Sequence, residues 1–219
     1  ANIRLPTEKA HGIQIMKMCQ AFAAEGMDVE LLVPRRRNDL RQDSFDFYNI
    51  KKTFRIVRIP CFDFVSFDVA NIGFFISAVS FLIFAKIYLF FKKYDVFYSR
   101  EQLTGIFLKN PFLEIHTLPP KIGYFRKRLM NRAKKIIVLT EFLKNTLIKS
   151  GVGAGKILVL PDAVDMEEFD IGVSKEVARE KLKLPLNKRI ILYTGSFLLY
   201  KWKGVDVLLE SAKILTDEY

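Results

Sequence analysis

The sequence predicts an α/β fold in which a parallel sheet carries helices on both of its faces. Short apolar runs, each about as long as one buried strand, alternate along the chain with segments whose apolar residues have helical spacing. Hydrophobic residues make up 50% of the 219 residues, which is enough for a sizeable core. Because parallel strands must be joined by crossover connections, this alternation favours a doubly wound sheet.

In the first half of the chain, each element follows from apolar spacing and from the residue that ends it. Residues 11–25 have helical spacing and end at Gly26, whereas residues 35–49 are charged and predict a surface loop. The opening residues are typical of the end of a strand that begins earlier, so we expect the sequence to be a fragment or an incomplete one. Strands are predicted at 29–33, 54–59 (near a sheet edge), 95–99 and 112–116, and a further helix at 102–109.

The second half continues the same alternation. Residues 121–135 are strongly basic and predict a helix, and residues 174–182 predict a helix that Ser174 caps. The domain boundary is expected between residues 169 and 188. The remaining predicted elements are strands at 136–139, 157–160 and 189–193, a helix at 141–149 that ends at Gly151, and an amphipathic helix at 205–215.

Residues 69–91 form the most apolar segment of the chain. No charged residue occurs from Val69 to Ala85, and the apolar character continues past Lys86. The segment is slightly short for a membrane span, which takes roughly 20 apolar residues, and Asn71 and the serines weaken it further. It therefore predicts a helix that is buried or lies on a membrane surface, with a true span as the alternative.

Charge and cysteine content restrict the partners and the compartment. Lys and Arg number 35 against 24 Asp and Glu, and the net charge of +11 suggests an anionic partner such as nucleotide phosphate, anionic lipid or nucleic acid. A basic solvated surface would give the same excess. The two cysteines are far apart, which favours a reducing, cytoplasmic compartment and argues against zinc; the two histidines form no metal-ligand cluster.

Candidate site residues follow the predicted strands, because ligands of doubly wound sheets bind beyond the carboxyl ends of the strands. The first is the loop at residues 6–12, where His11 and Gly12 open a helix. Gly12 is expected to leave backbone amides open to an anion, and the helix N-terminus favours negative charge. An ordinary turn is the alternative. Farther on, His116 follows a strand in which Glu114, two residues earlier, points to the same side.

Two glycine-rich stretches lie later in the chain. Residues 151–156 superficially resemble a phosphate-binding loop, but the spacing is wrong and the order is helix to strand. Residues 194–204 are the stronger signal, because they join a strand to a helix and carry two lysines that can neutralise a diphosphate without a metal. The candidate residues here are Gly195, Ser196, Lys201, Lys203 and Gly204.

Four stretches in this order resemble one family: PTEKAHGIQIMKMCQAF, VLTEFLKNTLIKSGV, KILVLPDAVDMEEF and LYTGSFLLYKWKGVDVLLESA. They are similar to the retaining GT-B glycosyltransferases of the group-one type, which transfer a sugar from a nucleotide diphosphate donor between two Rossmann-like domains. The resemblance implies a Rossmann-like acceptor-side domain at 1–170, a linker at 171–187, and the incomplete start of a donor-nucleotide domain at 188–219.

The resemblance also implies roles for the candidate residues. His116 would lie beside the donor sugar, Lys203 would contact the diphosphate, and the loop at His11 and Gly12 would lie near the diphosphate or the acceptor. Family members often have Gly-Arg where this chain has Gly195-Ser196, so Lys201 is expected to replace one phosphate contact. The family's acidic motif, two Glu separated by seven residues, does not follow, so the chain is expected to be inactive alone.

The expected function is therefore transfer of a sugar to a sugar, lipid or protein acceptor, with retention and without a cofactor or metal. The acceptor is expected to enter near Gly12 and residues 121–135. No nucleic acid partner is expected. An anionic membrane surface, at the inner face of the cell membrane, is an expected partner. The alternative is a non-catalytic membrane-surface or partner-binding module on the same scaffold. A dehydrogenase is excluded because no GxGxxG follows the first strand.

Overall fold

The computed structural model describes residues 1–65, 72–195 and 204–218 of the chain. These residues divide into two compact units, Ala1–Ala163 and Val164–Tyr219. The expected domain boundaries within 169–188 stay a prediction.

The first unit contains six parallel strands in two groups. Strands β1 and β2 pair with each other, and β3, β4, β5 and β6 form a second group in that order. The strand bounds are β1 Glu30–Pro34, β2 Arg55–Ile59, β3 Tyr98–Ser99, β4 Phe112–Ile115, β5 Lys135–Val138 and β6 Ile157–Val159.

In the described part of the first unit, one α-helix precedes β1 and four further α-helices lie between the strands. The helix bounds are α1 Ala10–Ala24, α2 Ser44–Phe47, α3 Ile72–Phe90, α4 Tyr124–Asn131 and α5 Glu141–Lys149, and two 3₁₀ turns lie at Gln102–Ile106 and Ala154–Lys156. Helix α5 begins where the Thr140 hydroxyl accepts a hydrogen bond from the Leu143 amide, which satisfies one of the free amides of its first turn. The sequence predicted this helix with its observed bounds.

The core lies on both faces of the strands. Successive residues of a strand point to opposite faces, so Leu31 and Val33 of β1 pack with α1 and α2, whereas Leu32 packs with α3 on the other face. A further cluster joins β4, β5 and β6 to α4 and α5. The predicted parallel α/β sheet with helices on both faces is therefore confirmed for this unit.

The first residues of the chain run beside β1. The Ala1 amino group donates to the Leu32 carbonyl oxygen at 2.7 Å, as expected for residues that extend a sheet. A cavity of about 140 Å³ lies beside them, lined by residues of β1, α3 and β3 that include Leu31, Phe81 and Tyr98.

The described residues of the second unit form three helices, α6 Met166–Phe169, α7 Lys175–Lys181 and α8 Val205–Glu218. The predicted cap of α7 is confirmed, since the Ser174 hydroxyl accepts a hydrogen bond from the Val177 amide at 3.3 Å. The amphipathic helix predicted at 205–215 is present as α8.

Three predictions are corrected. Residues 35–49 are not only a surface loop: Asp43 caps α2, and Phe45 and Tyr48 enter the core. Residues 102–109 form only a 3₁₀ turn, because Asn110 adopts a positive φ and Pro111 follows. Residues 189–193 are not a strand; no other strand of the described second unit can pair with their backbone groups.

Candidate active site

The loop before α1 is held in one conformation by three side chains. The Tyr48 hydroxyl accepts a hydrogen bond from the Thr7 amide at 2.8 Å and donates to the Thr7 carbonyl oxygen at 2.7 Å. Arg58 donates to the Leu5 carbonyl and Asn38 donates to the Pro6 carbonyl, both at 2.8 Å. Buried backbone groups are thus satisfied by side chains, and the loop that leads into α1, where His11 and Gly12 lie in the first turn, is fixed on the sheet.

Gly12 has a different role from the expected one. Its amide donates to the Lys9 carbonyl oxygen at 2.8 Å, so it is not open to an anion. Instead, a β-carbon at this position would lie 2.1 Å from the Tyr48 hydroxyl oxygen and 2.7 Å from Thr7 Cγ2. The sequence motif therefore needs glycine for close packing of α1 against the loop.

Glu114 is the centre of a cluster at the carboxyl ends of the strands. It lies at the end of β4 and is buried. Its carboxylate accepts a hydrogen bond from the Tyr98 hydroxyl at 2.5 Å and is paired with His116 Nε2. The Arg100 Nε atom lies 3.6 Å from the same carboxylate. The cluster thus brings together the two predicted residues Glu114 and His116.

Strand register explains why these residues meet. Ser99 of β3 lies opposite Leu113 of β4. The next residues along the two segments, Arg100 and Glu114, therefore lie side by side. Burial, and then the hydrogen bond to Glu114, raise the pKa of Tyr98. The phenol therefore remains a protonated donor to the carboxylate at neutral pH.

Helix α1 and the segment after β6 complete the cluster. Gln14 of α1 donates to Asp162 Oδ1 at 2.5 Å and lies 3.5 Å from Glu114 Oε1. The amide of Gln14 therefore bridges two acidic side chains, one in β4 and one in the segment after β6. His11, one turn earlier on α1, lies within electrostatic reach: burial first, and then the charges of Arg100 and Lys9, lower the pKa of its imidazole.

This arrangement suits proton transfer and recognition of hydroxyl or anionic groups. Nε2 of His116 is directed at the Glu114 carboxylate, so the proton of the neutral imidazole lies on Nε2. Nδ1 is then left as a hydrogen-bond acceptor. The His116 side chain is partly exposed, so a substrate can reach it. Arg100 Nη1 is buried and has no hydrogen-bond partner among the described residues. A guanidinium in that state is suited to a phosphate or a sugar oxygen.

Sequence reasoning missed four residues of the cluster. Arg100 directly follows a predicted strand, so the rule that selected His116 also selects Arg100. Asp162 lies in the quoted stretch after β6. Gln14 also lies in a quoted stretch, but its contact depends on the rotation of α1 against the sheet. Tyr98 had no sequence signal, since its contact depends on strand register.

The candidate residues of the second unit are described only in part. Ser196, Lys201 and Lys203 lie outside the described residues. Gly195 is described as exposed, and Gly204 adopts a φ of 65° directly before α8, where its carbonyl accepts from the Leu208 amide. Gly204 thus opens a helix, as the sequence predicted.

The stretch that resembles a phosphate-binding loop has a structural lysine. Lys156 donates from Nζ to the carbonyl oxygens of Asn131 and Ala133, the latter at 3.1 Å. The side chain thereby fastens the turn between α4 and β5 and is not directed at a ligand. In the part of the chain that the structure describes, no group of three or more His, Cys, Asp or Glu side chains is placed to hold a metal ion.

Comparisons with known proteins show which proteins this chain is similar to. The E. coli (strain K12) protein WcaI, a colanic acid biosynthesis glycosyl transferase by name, is 27% identical over 96 residues, which cover 43% of this chain and 23% of WcaI. The solved structure of Anabaena Alr3699/HepE with UDP and glucose has a TM-score of 0.47 at 14% identity, over 83% of this chain and 48% of that one. The same protein with UDP-glucose has a TM-score of 0.45 at 14% identity, with the same coverage of 83% and 48%.

This chain therefore spans about half of the solved chains and under a quarter of WcaI. A family model, Glycosyltransferase Family 4, matches residues 12–168. The match extends over most of the chain and includes the whole Glu114 cluster. It confirms the resemblance to group-one GT-B glycosyltransferases that the four sequence stretches indicated. The chain belongs to Glycosyltransferase Family 4.

Proposed function

We propose that the whole protein transfers a sugar from a nucleotide diphosphate donor to a sugar, lipid or protein acceptor, with retention of the anomeric configuration. The observation that carries the proposal is the Glu114 cluster at the carboxyl edge of the sheet, within the segment that matches a glycosyltransferase family. A buried carboxylate that orients a partly exposed histidine is an arrangement for chemistry on a bound substrate.

His116 acts beside the reacting sugar. Glu114 fixes the orientation of its imidazole through Nε2, and Nδ1 accepts a hydrogen bond from a hydroxyl group of donor or acceptor. Arg100 supplies an unpaired buried donor atom next to the same carboxylate. The fixed loop at residues 5–12 provides one wall of the acceptor site, with His11 at its end.

The donor diphosphate binds to the second unit. Lys203, assisted by Lys201, neutralises the leaving diphosphate, and Gly195, Ser196 and the N-terminus of α8 after Gly204 provide backbone donors. Lysine charges and helix N-termini do the work of a metal here, so no cofactor or metal is required. EDTA leaving the rate unchanged supports this part, and activity that is lost in EDTA and restored by Mg²⁺ contradicts it.

The test of the proposal is turnover of the whole protein with Glu114→Gln and His116→Gln. Glu114→Gln keeps the volume but removes the charge that orients His116, so we expect kcat to fall by roughly 10²–10⁴-fold, the range of general acid–base catalysis. Glu141→Gln is the matched control, since Glu141 is exposed on α5 and lies outside the cluster. Rates within twofold of the unsubstituted protein for both cluster variants contradict the proposed site.

Retention and cytoplasmic location are tested separately. Proton NMR of the first-formed product gives the anomeric configuration, and an inverted product refutes retention while leaving sugar transfer intact. The two unpaired cysteines suit a reducing compartment. A reporter fused to the chain and active only in the cytoplasm supports that location, and one active only outside the cytoplasm refutes it.

A further inference from the structure

The outward face of α3 is apolar, whereas a helix that covers a sheet in water normally has a polar outward face. Helices on the surface of a soluble domain direct their apolar stripe inwards and their polar stripe to solvent. In α3, exposed apolar residues follow the helical period except at half-buried Val79, and their exposed fractions range from 38% at Ile76 to 83% at Phe90. The exposed stripe consists of Ile72, Phe75, Ile76, Ile83, Ile87 and Phe90.

The two serines of this helix lie on the inward stripe. Ser77 and Ser80 are buried. The Ser77 hydroxyl accepts from Arg36 Nε at 2.9 Å, and the Ser80 hydroxyl accepts from the Phe62 amide at 2.9 Å. Phe81, Leu82 and Ala85 complete the stripe against β1 and β2. Both stripes of the helix are therefore apolar, but only the inward one has a partner within the described residues of the first unit.

Contacts at both ends hold α3 along the surface of the first unit. A β-carbon at Gly73 would lie 2.3 Å from the Phe64 carbonyl oxygen, so the first turn lies tightly against that loop. Near the other end, the Tyr88 hydroxyl donates to the buried Glu30 carboxylate of β1 at 3.1 Å. By length and composition α3 is the one described helix that can cross a membrane. These contacts instead fix it parallel to the sheet surface.

The charged residues of α3 and of the four residues that follow it are all basic. Lys86 lies on the exposed side of α3, and Lys92 and Lys93 follow its end. From Val69 to Tyr94 the sequence contains these three lysines and no acidic residue. The loop against the first turn adds exposed Phe62, Phe64 and Val65. An apolar stripe flanked by lysines is complementary to a bilayer surface with anionic headgroups.

We propose that the outward stripe of α3 docks the protein on an anionic lipid surface, with the helix lying in the plane of the interface. At 1.5 Å per residue, the 19 residues of α3 present a stripe about 28 Å long. The apolar side chains enter the boundary between headgroups and acyl chains, and Lys86, Lys92 and Lys93 contact the headgroups. Sugar transfer is not required for this docking, so its test is independent of the proposed activity.

Cosedimentation with vesicles tests the proposal. The protein is expected to pellet with phosphatidylglycerol vesicles at low salt, much less with phosphatidylcholine vesicles, and to be released by high salt. Replacing Lys86, Lys92 and Lys93 with Gln should weaken binding to the anionic vesicles by about fivefold for each lysine. The triple variant Ile83→Ser, Ile87→Ser and Phe90→Ser should weaken binding to both kinds of vesicle by at least about tenfold.

Phe142→Ser is the matched control. Phe142 is 77% exposed on α5, so this variant removes an equally exposed aromatic side chain from another surface and should bind like the unsubstituted protein. Circular dichroism checks that each variant is folded, and the single variant Phe90→Ser replaces the triple one if that variant is not.

Four results overturn the proposal. The first is that the unsubstituted protein pellets with neither kind of vesicle. The second is that the serine variants bind to vesicles as well as the unsubstituted protein does. The third is that only detergent, and not high salt, releases the protein from the vesicles, which shows a membrane span. The fourth is that the unsubstituted protein does not bind vesicles but forms a dimer in light scattering, and that the serine variants abolish this dimer. A second copy of the chain then covers the stripe.

Discussion

Gly12→Ala should destabilise the first unit because the position has no room for a methyl group. The new β-carbon would lie 2.1 Å from the Tyr48 hydroxyl oxygen, 2.7 Å from Thr7 Cγ2 and 3.0 Å from Tyr48 Cζ. Contacts this short force Tyr48 to move. Tyr48 is in the core, and its hydroxyl holds both backbone groups of Thr7, so its displacement disturbs the loop before α1 as well.

The expected cost has two parts. Inserting a methyl group into a well-packed core costs about 1–3 kcal/mol of unfolding free energy. Each hydrogen bond of the Tyr48 hydroxyl contributes about 0.5–1.5 kcal/mol, and two of them are lost when the ring moves. Together they predict a destabilisation of about 2–6 kcal/mol, which lowers the Tm by at least about 4 °C.

Urea unfolding monitored by circular dichroism measures this cost. Gly153→Ala is the matched control, because Gly153 has an ordinary φ of −61° and no atom within 4 Å of a new β-carbon. Its unfolding free energy should stay within about 0.5 kcal/mol of the unsubstituted chain. In Tyr48→Phe the atom nearest to the new methyl group is gone, so adding Gly12→Ala there should cost at least about 1 kcal/mol less.

Two results refute this reasoning. If Gly12→Ala is as stable as Gly153→Ala, the ring of Tyr48 moves without cost and the close packing is not what requires glycine. If the costs of Gly12→Ala and Tyr48→Phe simply add, the two residues are not coupled. Either result reopens the idea that Gly12 serves the ligand and not the packing of α1.

Three further predictions concern thiols, a histidine and local stability. Burial raises the pKa of the Cys19 thiol to about 11, so Cys19 should alkylate far more slowly at pH 8 than the half-buried Cys61, as intact mass will show; equal rates would contradict the buried position. The pKa of His11 is lowered from its ordinary value of 6.5, so folding favours the neutral imidazole. The stability that the neutral form contributes at neutral pH is therefore lost as the pH falls through the folded pKa. An NMR titration midpoint at or above 6.5 rules this out. No residue of the second unit is buried within 164–195 and 204–215, so its amides should exchange rapidly with deuterium while those of β4 and β5 are protected, and equal protection would count against this.

Most of the first unit could be predicted because its strands are short apolar runs with clear ends. Helix α5 matches its predicted bounds, since Glu141 follows a threonine cap and Gly151 ends the run. Residues 35–49 were harder, because Phe45, Phe47 and Tyr48 form a short aromatic group within a charged segment, too short to show a helical period. Residues 189–193 have a strand pattern, but a strand also needs a partner, which local sequence does not encode.

The candidate site was predictable in part for the same reason. Strand alternation alone placed Glu114 and His116 on one side, and the structure brings them into contact. Arg100 requires the register of β3 against β4, and Gln14 requires the rotation of α1; both are set by packing between elements that are distant in sequence. Ser196, Lys201 and Lys203 lie outside the described residues, so their roles remain predictions.

The position of Glu114 argues that the cluster exists for function. Glu114 lies opposite Ile137 of β5 and, like its strand neighbours Leu113 and Ile115, it is buried. Burying a carboxylate costs free energy unless charges and hydrogen bonds compensate it, and apolar replacements of buried ion pairs are often neutral or stabilising. The chain instead surrounds Glu114 with Tyr98, Arg100 and His116. Such a departure from core composition, at the sheet edge where ligands bind, is expected where selection acts on activity and not on stability.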